Sequence, residues 1–199
     1  MPHPIVLASG SEIRAQLLRS AGVMVETARP RVDEEAVKRS MVAEGALPRD
    51  ITDALAEMKA RKISERYPDA LVIGCDQVID FKKEILSKSD SPAAARDQLA
   101  LLSGQTHALL SAAVICQAGR PLWRHVGVAR LTMRVLSDAY LDAYIQRNWD
   151  SIRHSVGAYK LEEEGVRLFS RIEGDYWTIL GIPLLELLSY LTLRKEIDG

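Results

Sequence analysis

Along this chain the apolar positions recur in two rhythms, one near two residues and one near three to four, and the rhythms alternate. Residues 4–8 (PIVLA) form a short apolar run of strand character. SGSEIRAQLLRSAG follows with helical spacing, Leu17 and Leu18 on one face and Gly22 as the stop. A second strand is expected at 24–28. Asp33 then caps a helix through Met41 and Val42, and a further amphipathic helix covers roughly 53–65. After the strand 71–80, Asp90 or Ser91 with Pro92 starts a helix that Gly104 ends. The β-rich runs 106–116 and 122–135 are joined by QAGRP, which reads as a hairpin. Ser137 or Asp138 caps a helix to about residue 147, 167–172 reads as a short strand, and an apolar helix runs from Pro183 to about residue 193. This order implies one mixed α/β domain over residues 1–199.

One strand breaks its own pattern. LVIGCDQVID, residues 71–80, carries Asp76 and Gln77 in its middle. A buried carboxylate without a partner is costly, so the acid either ends the strand or lies where the sheet opens to solvent, and something meets it there. The plain structural reading makes Gly74 and Asp76 a bulge or turn at the strand end.

Composition narrows the field. The 199 residues are 47% hydrophobic and 27% charged, with a net charge of -1, which fits a globular fold with a sizeable core. Lys and Arg are scattered among Asp and Glu, so neither a nucleic-acid arm nor a membrane patch is expected, and the partner should be small. Cys75 and Cys116 stand far apart without metal-ligand spacing, which argues against a disulfide framework or a structural zinc site. MPHPIV lacks a basic start and a signal-like core, and no window reaches the ~18 apolar residues of a spanning helix, so a cytoplasmic protein is expected.

Four places carry candidate chemistry. In SGSEIR, Ser9 and Glu12 have the spacing of a capping box; the same helix start, with Ser9 and Ser11, also offers free N–H groups and a positive dipole end to a phosphate. Arg14 in the first turn opposes the dipole, which makes more sense if an anion sits between them. The second place is Asp76. The third is Glu34, Lys59 and Lys88, each readable singly as a solvated surface charge. The fourth is residues 156–184, dense in glycine and aromatics, with Glu162, Glu163 and Glu164 in a row; read structurally it is a loop, a strand and a helix start at Pro183.

Taken in order, these segments resemble the Maf family of nucleotide pyrophosphatases. LASGSEIR is similar to the family's LASxSPRR, RPRVDEE to its VDE segment, LAEMKA to LAxxKA, and VIGCDQVI to its GADT or GSDQ strand. ILSK with LLSGQTH resembles LGKP and LSGxxH, and GAYKLEEEG with IEGDYWTILGIPL resembles GAYGIQGxG and IxGDYxNVxGLP. The resemblance implies an elongated central mixed sheet flanked by helices, ITPase-like, with two lobes and a nucleotide cleft between them. It further implies a divalent metal, a homodimer in many members, and cleavage of nucleoside triphosphates to monophosphate and pyrophosphate.

The implied roles can be set against charge. A triphosphate brings about four negative charges, and like charges ~4 Å apart cost about 4 kcal/mol at an effective dielectric of 20. Asp76 and Glu34 would therefore repel the substrate unless Mg2+ or Mn2+ bridged them. Water attacks the α-phosphorus, with Asp76 as general base or metal ligand and Glu34 as a second ligand. Lys59, Lys88, Arg14 and the Ser9–Ser11 backbone hold the phosphates. Cys75 points to the opposite face by strand alternation and packs in the core. His107 follows the family pattern, with a structural hydrogen bond as the expected role. SEIR has lost the proline and first arginine of SPRR, and SKS replaces GKP around Lys88. Glu162 stands where the family has Gln, with Lys160 and Glu163 in place of glycines. A carboxylate only accepts hydrogen bonds and suits the donor-rich edge of guanine, whereas Gln suits uracil or thymine. Asp76-Gln77 resembles the branch directed at 7-methyl-GTP, so house-cleaning of modified nucleotides with that lean is the expectation. The alternatives are a dTTP/UTP pyrophosphatase, a nucleotide-sensing regulator of septum formation with little catalysis, and an unrelated nucleotide-binding α/β domain without divalent-ion dependence.

Overall fold

A computed structural model describes residues 2–198. The alternating rhythms become a mixed α/β fold with a seven-stranded sheet in the order β2-β1-β3-β5-β6-β7, β4 pairing with β3 off this path. The strands are β1 Ile5–Ala8, β2 Glu26–Thr27, β3 Leu71–Phe81, β4 Glu84–Leu86, β5 Thr106–Gln117, β6 Arg120–Met133 and β7 Phe169–Glu173. The helices are α1 Glu12–Ser20, α2 Glu34–Ala43, α3 Pro48–Ser64, α4 Pro92–Leu102, α5 Asp138–Ile152, α6 Tyr176–Ile179 and α7 Leu184–Leu193. Pairing of β1 with β2 and β3 is parallel, and β3–β4 and β6–β7 are antiparallel.

The chain divides into two compact units. The first comprises the chain up to Gln77, Leu110–Gly127 and the chain from Tyr176; the second comprises Val78–Leu109 and Val128–Asp175. In the first unit β1 and β3 lie in register, Ile5 to Leu71 through Ala8 to Gly74. Leu7, Leu18, Ile73, Ile115 and Leu187 form its core on one side of these strands, and Val6, Val72 and Ile63 pack on the other. In the second unit, Leu99, Leu102, Leu131 and Tyr144 are buried.

Several expectations are corrected by local physics. The capping box at Ser9 does not form: Ser11 is the N-cap of α1 and makes no side-chain cap bond, while the Ser9 hydroxyl accepts from the Ser11 amide at 3.1 Å. α3 begins at Pro48, earlier than the apolar spacing indicates, because proline is pre-set for the first helical turn. β4 has no counterpart in the sequence reading. Its turn places Lys82 and Lys83 at positive φ, 55° and 72°, without the Gly or Asn that marks such turns, and the Asp80 carboxylate steadies it by accepting from the Lys83 amide. The expected hairpin at QAGRP is present, with Ala118 and Gly119 both at positive φ between β5 and β6.

Candidate active site

Asp76 neither ends its strand nor meets solvent. β3 continues for five residues beyond it, and Asp76 is 4% exposed. What meets the acid is Lys59, whose ammonium donates to Asp76 Oδ1 at 2.6 Å. Lys59 is not a surface charge: it is 6% exposed and lies in the buried stripe of α3, one helical turn from Leu55 and from Ile63. Gly74 makes the approach close. A Cβ there would stand 2.1 Å from the Ala56 carbonyl oxygen and 2.6 Å from the Ala60 amide nitrogen, so only glycine lets α3 pack this tightly on β3. Small residues on both elements thus carry a long cation onto a buried acid.

Glu34, in the first turn of α2, completes the cluster. Its Oε2 lies 2.9 Å from the same Lys59 nitrogen. Two carboxylates therefore converge on one ammonium. Burial raises the Asp76 pKa and the nearby Glu34 charge adds to this, while Lys59 and Arg14 hold it down. Asp76 Oδ2 is buried and has no hydrogen-bond partner among the described residues.

Arg14 ties the turn after β1 to this strand. Its Nη1 donates to Ser9 Oγ at 3.3 Å and to the Cys75 carbonyl at 3.4 Å, and its Nε donates to the Gly181 carbonyl at 2.8 Å. Cys75 itself packs in the core, and burial pushes its thiol up to about 11, which keeps it protonated and unreactive. Both cysteines are free and buried. Gln77 also turns out to be structural: its Nε2 donates to Ser111 Oγ and to the carbonyls of Thr178 and Ile179, bracing α6 against the end of the first unit's β3 segment. Arg29 escaped the sequence reading. It is exposed, and its side chain runs across Gly10, with Nε 3.5 Å from where a Cβ would be; the RPR preceding the VDE acids is its only sequence signal.

Ser9, Ser11, Arg14, Glu34, Lys59 and Asp76 thus belong to the first unit, and Lys88 and Glu162 to the second. Lys88 follows β4 and is exposed. Glu162 is exposed, whereas its neighbours are engaged: Glu163 accepts from Ser151 and Lys160, and Glu164 from Arg147 and Asn148. Lys160 and Glu163, the residues that depart from the family pattern, therefore satisfy each other.

Among the described residues no group of three or more His, Cys, Asp or Glu is placed to hold a metal ion. Glu34 and Asp76 do offer a pair of hard oxygen donors already gathered on one cation, and Asp76 Oδ2 is unspent. That set fits Mg2+ or Mn2+, which keep several waters and bind through one or two carboxylates plus substrate phosphates.

A family profile described as "Maf-like protein" matches residues 4–194. The chain belongs to the Maf-like family. A protein of Ruegeria pomeroyi named "Nucleoside triphosphate pyrophosphatase" is 64% identical over 198 residues, covering 100% of both chains. One of the same name from Roseobacter denitrificans is 63% identical over 197 residues and 99% of both. A Brucella abortus relative named "7-methyl-GTP pyrophosphatase" is 47% identical over 199 residues, covering 100% of both. Among solved structures, a nucleoside-triphosphatase/dITP/XTP pyrophosphatase from Mycobacterium abscessus aligns over 98% of both chains with a TM-score of 0.46 and 16% identity. No helix among the described residues is long and apolar enough to cross a membrane.

Proposed function

We propose that this Maf-like chain hydrolyses nucleoside triphosphates to the monophosphate and pyrophosphate, with a lean towards 7-methyl-GTP. The reading rests on Asp76, a buried carboxylate with one oxygen clamped by Lys59 and the other unspent. The names of the relatives support the substrate class, and the Brucella abortus relative supports the lean.

In this mechanism Lys59 fixes the Asp76 carboxylate through Oδ1 and so aims Oδ2 at an attacking water. The raised pKa makes Asp76 a stronger base than an ordinary carboxylate, and Oδ2 takes the water's proton. The new bond forms from the water oxygen to the α-phosphorus. The bond from that phosphorus to the bridging oxygen breaks, and its electron pair departs with pyrophosphate. Arg14 braces the Ser9–Ser11 turn through its bonds to Ser9, Cys75 and Gly181; the Ser9 and Ser11 amides are spent on the Leu7 carbonyl and Ser9 Oγ, so in this reading the guanidinium charge rather than those amides serves the phosphates. Arg29, whose side chain crosses Gly10, adds cationic charge beside the Ser9–Ser11 turn. Glu34 would hold Mg2+ or Mn2+, with Asp76 as a second ligand only when its Oδ2 is not taking the proton, and the ion would neutralise charge on the phosphate oxygens. Glu162 accepts from the donor-rich edge of the guanine base.

The test is pyrophosphate release from a panel of triphosphates, including GTP, 7-methyl-GTP and UTP, in the presence of Mg2+ or Mn2+. Asp76→Asn should lower kcat by about 10² to 10⁴ while nucleotide binding persists. Turnover by that variant at the wild-type rate would discard the mechanism. Glu162→Gln should shift preference towards pyrimidines, and an unchanged profile would remove the assignment of Glu162.

A further inference from the structure

We propose that His107 and Tyr159 are positioning residues for base selection: their buried hydrogen bond fixes the loop from which Glu162 projects. The inference rests on the reading of Glu162 given above, and it lies wholly within the second unit.

His107, on β5, is 2% exposed, and Tyr159 is 4% exposed. The His107 Nε2 and the Tyr159 hydroxyl share a hydrogen bond of 2.7 Å. Phe169 closes the cluster, its ring centroid 4.8 Å from that of Tyr159 in edge-on packing and 6.0 Å from that of His107. The other ring nitrogen, Nδ1, is buried without a hydrogen-bond partner among the described residues. A core built for stability alone would do better with an apolar ring here, so the polar pair needs another reason. Burial also lowers the His107 pKa to about 4, which keeps the ring neutral and the bond intact at neutral pH.

The backbone next to Tyr159 is held in one shape. Ala158 sits at φ 54°, a conformation that only Gly, Asn and Asp adopt readily, and a Cβ on Gly157 would stand 2.3 Å from the Tyr159 ring. Gln98 donates to the Val156 carbonyl, Tyr144 to that of Ala158, and Ser155 to that of Tyr159. Beyond Glu162 the chain is pinned again, Glu163 through Ser151 and Lys160, and Glu164 through Arg147 and Asn148. Glu162 and Glu163 are both exposed, but Glu163 and Glu164 are held by Ser151, Lys160, Arg147 and Asn148, which leaves Glu162 as the acid of the three that stands between the anchored flanks without being engaged by them. Such pinning sets where an acceptor stands relative to a flat base edge, and displacement of about 1 Å is enough to degrade recognition.

The experiment measures kcat and KM for GTP and UTP in wild type, Tyr159→Phe, His107→Leu, His107→Gln and Glu162→Gln, with Tm for each. The expected result is a fall of about tenfold in the GTP-to-UTP ratio of kcat/KM in Tyr159→Phe and His107→Leu, carried mainly by KM for GTP. His107→Gln, which can still bond the Tyr159 hydroxyl, should restore most of the ratio; this pair decides the matter if Tyr159→Phe does not fold. A lowered Tm with the ratio intact in Tyr159→Phe and His107→Leu would overturn the inference, as would a Gln at 107 no better than Leu. If Glu162→Gln shifts the ratio while these variants do not, the reading of Glu162 stands and the positioning role falls. An unchanged ratio in Glu162→Gln would remove both.

Discussion

Replacing Lys59 by Met keeps the length and apolar stem of the side chain while deleting the charge on which Asp76 and Glu34 converge. Lys59 and Asp76 have side chains only 8% and 5% exposed, so this is a buried pair, and removing one partner costs about 3 to 5 kcal/mol. The Glu34 contact contributes little beyond this, because its carboxylate is 40% exposed and screened. In a chain of this size a 3 kcal/mol loss lowers Tm by about 6 to 12 °C.

The pH dependence gives the sharper test. The folded-state pKa of Asp76 is raised, so the native state holds the proton more tightly than the unfolded state does. Stability contributed by this group is therefore greatest at acid pH and is lost as pH rises from the ordinary carboxylate range through the raised value. Lys59 is the largest influence opposing the rise, so Lys59→Met pushes the window upward. Within it, the variant's deficit relative to wild type should grow by up to about 1.4 kcal/mol per pH unit, the free energy of one proton. Urea unfolding followed by fluorescence of Trp123, Trp149 and Trp177, from the ordinary carboxylate range upward across the whole pH range in which the fold persists, measures it. A deficit that stays constant across that range would refute the claim that Lys59 and Asp76 form a buried charge pair.

Two further outcomes follow from the same cluster. Gly74→Ala forces a methyl against the backbone of α3 at Ala56 and Ala60, and should destabilise the fold by about 3 kcal/mol in chemical denaturation, with a loss of activity in the folded fraction as Lys59 is pushed from Asp76. Mg2+ without nucleotide should raise Tm more in Lys59→Met than in wild type, because the two carboxylates are then unneutralised; at ten times Kd the gain is about 1.4 kcal/mol, or roughly 3 to 5 °C. Differential scanning fluorimetry reads this directly, and equal shifts in the two proteins would contradict a metal site at Glu34 and Asp76.

The fold was largely legible because its elements are marked by caps and by period. Ser91-Pro92 and Ser137 do cap α4 and α5, with side chains accepting from Ala94 and Tyr140. β4 was not legible, since a Lys-Lys turn carries no turn residue. The site was legible in its residue types and illegible in its geometry. Lys59 was readable in principle: a charged residue spaced four from Leu55 and four from Ile63 lies in an apolar stripe and has to find an acid. Asp76 could not be placed by strand pattern alone, because β3 is buried on both faces and alternation gives no signal there.

The departures from the family pattern have a common physical logic. Where the family carries glycines, Lys160 and Glu163 pair with each other at 3.1 Å. Both are then held by Ser151 on α5, so a substitution that looks disruptive in sequence becomes a local anchor. Charge added in compensating pairs leaves the neighbouring acid free to act alone. Glu162 differs because nothing in its own loop neutralises it, and an unpaired carboxylate on an anchored loop remains available to a ligand that brings donors. Glu34 and Asp76 show the opposite arrangement, two acids sharing one cation. In the first unit the result is an acid whose basicity is raised by burial and kept in check by Lys59; in the second it is an acceptor left unspent on an anchored loop.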